Sequence, residues 1–135
     1  MDTETVRLFY TFDSQRQRRD FGGSAFIEIQ YCRLPAKTDI REIVSVDSIL
    51  NWLDDSLYVP DENRFYTRYS NIFTGGVYNN LHTGPVDVYG INYYSPEHVY
   101  VIIESLKKTQ PADYEILLDW LKKAEAFNGI YILGL

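Results

Sequence analysis

The chain of 135 residues has one cysteine, Cys32, so no disulfide can close within it, and a reducing, cytoplasmic setting is expected. Long apolar runs are missing as well: none approaches the ~18 residues that a membrane span needs. The start, Met1-Asp2-Thr3-Glu4, is acidic and lacks the charged-then-apolar order of a signal peptide. Histidine is scarce. His82 and His98 lie far apart, and neither forms a recognisable catalytic or metal-binding pair with a neighbour in sequence. There is no Gly-rich phosphate loop of Walker type, no GxGxxG, no HExxH and no Cys/His pair at metal spacing, so no metal or cofactor is expected. Positive charge is in deficit. With 13 Lys and Arg against 19 Asp and Glu, the net charge is −6, which disfavours nucleic acid and anionic membranes as partners.

What is present suffices for one folded domain over residues 1–135. Hydrophobic residues make up 45%, and no biased tract or linker divides the chain. The last third is the most regular part. Ser95-Pro96-Glu97 is a helix start: a hydroxyl for an orphan amide, a residue with no amide to lose, and a carboxylate at the positive helix end. Val99, Ile102, Ile103 and Leu106 then form an amphipathic stripe that Lys107 and Lys108 close. A second helix is expected from Thr109-Gln110-Pro111, with Tyr114, Leu117, Leu118, Leu121 and Ala124 on one face, widened by Ile116, Trp120 and Phe127. Asn128-Gly129 stops it, and the apolar run Ile130 to Leu133 reads as a strand buried on both faces.

Upstream, alternation predicts strands over Val6 to Phe12 and Ala25 to Cys32, the second with Glu28 and Gln30 on the face opposite Ile27, Ile29 and Tyr31. The connection, Asp13 to Asp20, carries Arg16, Arg18 and Arg19. It reads as a solvated loop or as an anion contact, since Arg offers a planar donor fork. A helix is expected from about Asp47, with Val46, Ile49, Leu50, Leu53 and Leu57 at helical spacing, Ser45 or Asp47 as its cap, and Trp52 on the core face. Strands are then expected over Phe65 to Phe73 and Val86 to Tyr94, separated by Thr74-Gly75-Gly76 and by a loop from Asn79 to Pro85. The fold class is therefore α+β: a mainly antiparallel sheet of about five strands with three helices packed on one side.

Two places could carry function. Asp54, Asp55, Asp61 and Glu62 surround Tyr58, an acidic patch with an aromatic anchor suited to a basic protein partner. The loop with Tyr78, Asn79, Asn80 and His82 is the alternative, a pocket for a small ligand or substrate. Twelve tyrosines, among them Tyr66, Tyr69, Tyr89, Tyr93 and Tyr94, suit either an interface or an aromatic-rich core. His98 reads as a helix-start residue and Cys32 as a small buried hydrophobe. A small, acidic, tyrosine-rich chain of this kind resembles bacterial immunity proteins, which block a co-expressed toxin, often a nuclease. That resemblance lies in overall character and carries no site residue across. It implies a non-catalytic inhibitor of a basic toxin. An enzyme or ligand-binding domain and an adaptor subunit are the other readings.

Overall fold

The computed structural model describes residues 7–12, 14, 16–17, 19, 26–50 and 53–134. Among them, six strands make one sheet: β1 (Ile27–Tyr31), β2 (Leu57–Val59), β3 (Thr74–Tyr78), β4 (Thr83–Pro85), β5 (Ile91–Tyr94) and β6 (Ile130–Leu133). Every neighbouring pair is antiparallel, in the order β2-β1-β6-β5-β3-β4. The helices are α1 (Ile40–Ile43), α2 (Glu62–Tyr69), α3 (Pro96–Thr109) and α4 (Tyr114–Lys122). The class is α+β, as its sequence predicts, with one strand more than expected.

The C-terminal unit forms for the reasons its sequence gives except at the second helix. That helix begins at Tyr114 and not at Thr109-Gln110-Pro111, because α3 runs through Thr109, and Gln110 and Asp113 turn the chain in the left-handed conformation. The Ser95 hydroxyl accepts from the His98 amide at 3.2 Å, Pro96 opens α3, and Val99, Ile102 and Leu106 are its buried stripe. Gly129 takes φ +85°, and a Cβ there would lie 2.2 Å from the Tyr94 carbonyl oxygen, so only glycine fits this entry to β6. All four residues of β6 are buried between β1 and β5.

The two faces of the sheet are covered differently. Ile29, Tyr94, Ile130 and Ile132 join the buried faces of α2, α3 and α4 in one large cluster. On the reverse, Tyr93, Tyr131 and Leu133 meet Cys32, which follows β1, and Ile43 and Val44, in and beside the short α1. Phe12, Phe26 and Tyr58 form a third, smaller aromatic group.

Several upstream expectations are corrected. The helix expected from Asp47 shrinks to one 3-10 turn, Val46–Ser48. Ser45 does cap it, accepting from the Asp47 amide at 3.3 Å. Leu57 is taken instead by β2, opposite Ile29, and Val46 and Leu50 are left 67% and 51% exposed. The strand expected over Phe65 to Phe73 is α2 and the turn after it. Asp61 caps this helix, and Phe65, Tyr69 and Phe73, four apart, bury one face. Aromatic β-propensity yields to that shared burial. The Asn79 to Pro85 loop contains β4, and the expected strand from Val86 begins only at Ile91. Glu28 and Gln30 do lie on the face opposite Ile27 and Ile29, and both are buried there: Gln30 donates to the Leu50 carbonyl and Glu28 accepts from the Leu53 amide.

The first expected strand is a single bridge, Tyr10 to Tyr58, with Val6 outside the described residues. Leu8 and Phe9 are both buried, against alternation. Their amides donate to one Asp113 carboxylate oxygen at 2.8 and 3.1 Å. Asp113 sits at the start of α4 at φ +62°, and its side chain serves the N-terminal segment instead of capping its own helix. Trp52, Arg18 and Ala25 lie outside the described residues; Arg16 and Arg19 are exposed.

Candidate protein-binding surface

The acidic patch anticipated around Tyr58 lacks its aromatic anchor, because Tyr58 is buried. Asp54 and Asp55 precede β2 and Asp61 and Glu62 follow it, so extended chain separates the pairs by up to roughly 20 Å. Asp54 is exposed. Asp55 ion-pairs with Arg33, and its carbonyl accepts from Trp120 Nε1 at 2.8 Å. Asp61 is committed to α2: its carboxylate accepts from the Arg64 amide at 3.0 Å and holds the Arg64 guanidinium at 3.6 Å. Tyr58 is only 2% exposed and donates to the Leu53 carbonyl at 2.5 Å. It is a sheet residue, because its partner Glu28 is buried beside it, and it is no surface anchor.

The loop proposed as an alternative pocket is a closed hairpin. Tyr78 donates to the Pro85 carbonyl and Asn79 Nδ2 to the Val44 carbonyl at 3.0 Å. Asn80 Oδ1 accepts from the His82 amide at 3.0 Å, and the Tyr78 amide donates to the His82 carbonyl at 2.8 Å. These groups build the turn between β3 and β4.

One acid of the first set, Glu62, meets a tyrosine that belongs to neither set. Glu62 and Tyr66, four residues apart, are neighbours on α2 at the margin of the stripe that buries Phe65 and Tyr69. Tyr89 arrives from the β4–β5 connection and donates to Glu62 Oε1 at 3.3 Å. Asn92 fixes that connection: its Nδ2 donates to the Asp87 and Ile132 carbonyls at 2.8 and 3.0 Å, and its Oδ1 accepts from the Asp87 amide at 2.8 Å. Asp87 Oδ1 in turn accepts from the Tyr89 amide at 3.0 Å, which throws the ring outward. Tyr66 is 43% and Tyr89 68% exposed. Burial pushes the Tyr78 hydroxyl above its ordinary range, and the nearby Asp87 carboxylate and Tyr66 add to the shift. Glu62, Tyr66, Tyr78, Asp87 and Tyr89 thus form an acidic, tyrosine-rich surface. Tyr66 and Tyr89 are conspicuous in the sequence only as tyrosines. The turn residues Asp87 and Gly90 around Tyr89 are the local signal that would have found it.

The remaining residues of interest are structural or lie apart. Cys32 is buried and donates weakly to the Tyr131 hydroxyl at 3.5 Å. His98 packs edge-on to Tyr94, ring centroids 5.2 Å apart. A groove of about 480 Å³ runs between α3 and the end of α4, and a smaller hollow of about 300 Å³ lies beside Cys32, Arg33 and Phe127. Among the described residues no group of three or more His, Cys, Asp or Glu could hold a metal ion, and no helix is long and apolar enough to cross a membrane. Comparison with protein-family models, curated proteins and solved structures finds no match to this chain.

Proposed function

We propose that this is a non-catalytic protein-binding domain with a basic protein partner, and that it acts as an immunity protein covering the active site of a basic toxin such as a nuclease. The observation that carries the reading is the surface of Glu62, Tyr66, Tyr78, Asp87 and Tyr89, where carboxylates stand beside two exposed tyrosine rings. Carboxylates accelerate encounter with a cationic partner, and tyrosines add contact area at little rotamer cost. The net charge of −6 acts in the same direction at long range.

The test is association kinetics with the protein encoded beside this one, at two salt concentrations. Glu62→Lys with Asp87→Lys should slow association and flatten its salt dependence, while Tyr66→Ala and Tyr89→Ala should speed dissociation. Asp61 is left untouched because it caps α2. Unchanged rates in all these variants would remove this surface from the interface.

A further inference from the structure

The groove between α3 and α4 shares no residue with the acidic surface, and its chemistry is different. Its floor is apolar: Val99, Leu121 and Ala124 are buried and Ile103 is partly so. Tyr100 stands at the edge, 66% exposed. The charged rim consists of Glu104, Lys107, Lys122 and Glu125, two of each sign. In a chain carrying 19 acids against 13 bases, this is a charge-balanced, apolar-floored stretch of surface.

We infer that the groove is the contact between two copies of this chain, each inserting Tyr100 into the groove of the other. A two-fold interface sets a surface against itself, so it needs both signs of charge within one patch. The rim meets that condition, whereas the acidic remainder of the molecule repels its copy. Lys107 pairs with Glu104 at 3.5 Å within one chain, while Lys122 and Glu125 make no ion pair among the described residues and remain for the second copy. An exposed aromatic beside an apolar groove is the arrangement that anchors interfaces.

The experiment is sedimentation equilibrium of the full chain over a concentration series. The wild type forms dimers. Lys107→Glu with Lys122→Glu makes the rim wholly acidic, and Glu104→Lys with Glu125→Lys makes it wholly basic. Each double variant alone is monomeric, and the two mixed in equal amounts form a heterodimer. Tyr100→Ala raises the dissociation constant about tenfold or more. These positions are exposed, and circular dichroism checks that each variant is folded. A wild type that stays monomeric throughout the series overturns the inference, as does a dimer indifferent to the rim variants or a mixture that fails to pair. A monomer whose groove resonances shift on adding a fatty acid would assign the groove to a small amphiphile instead.

Discussion

The two faces of the sheet solve the same burial problem by different means. Under α2, α3 and α4 the contacts are nearly all apolar: Ile29, Ile130 and Ile132 meet Ile102, Leu106, Leu117 and Leu121, and Phe9, Phe65, Tyr69 and Phe73 pack ring to ring. The reverse face is polar inside. Glu28 Oε2 accepts from Gln30, from the Leu53 amide and from the Ser56 hydroxyl at 3.1, 3.1 and 2.6 Å, and Tyr131 donates to the Ile43 carbonyl at 2.6 Å. Tyr93 donates to the Asn128 carbonyl at 2.7 Å. Helices satisfy their own backbone, so a face covered by them needs only side-chain fit. The cover on the reverse is mostly irregular chain, whose carbonyls and amides must be met by side chains from the sheet. Glu28, Gln30 and Ser56 are buried there on that account, whereas Asn92, opposite Ile132 on the helix face, serves the Asp87 and Ile132 carbonyls.

Alkali should break both faces at once. Burial holds the hydroxyls of Tyr31, Tyr69 and Tyr94 on the helix side, and of Tyr93 and Tyr131 on the reverse, well above the ordinary 10.0. The unfolded chain loses these protons first, so stability is intact below about pH 10 and falls as pH rises beyond it. One cooperative transition by circular dichroism, coincident with tyrosinate absorbance, is expected. Two separated transitions would mean the faces melt independently.

Adjacent residues of β6 separate the two mechanisms. Ile132 points to the helix side, and Ile132→Ala should cost about 2–5 kcal/mol through lost burial and a cavity, measured by urea denaturation. A loss below about 1 kcal/mol would mean that the helices close over the gap.

The smallest effects come from removing single hydroxyls. Tyr131→Phe leaves the buried Ile43 carbonyl without this donor and should cost about 1–3 kcal/mol. Tyr94→Phe should be neutral or stabilising, because the Tyr94 hydroxyl on the helix side is buried and has no hydrogen-bond partner. Equal losses in the two variants would erase the distinction between the faces.

Legibility in the sequence follows the same division. The unit from Ser95 to Leu133 could be read because its information is local: a cap, a stripe, a stop and an apolar run agree with one another. Residues 40–73 could not. Val46, Ile49, Leu50, Leu53 and Leu57 have helical spacing, yet the partner strand at Ile29 claims Leu57 and the helix never forms. Asp61, Phe65 and Tyr69 carried a helix signal of their own that aromatic β-propensity obscured. Of the proposed surface, Glu62 and Tyr78 are singled out by the sequence, whereas the contact of Tyr89 with Glu62 depends on the fold.

By itself the sequence determined the α+β class, the start of α3, the buried central strand β6 and the absence of the common catalytic and metal signatures, because each rests on residues close together in the chain. Tertiary structure alone decided that Tyr58 is buried and that Tyr89 reaches Glu62, 27 positions away. It also placed Asp113 on the amides of Leu8 and Phe9, more than a hundred residues earlier. Such contacts are set by sheet order and by the route of the chain over the sheet, and no local pattern of residue types encodes either.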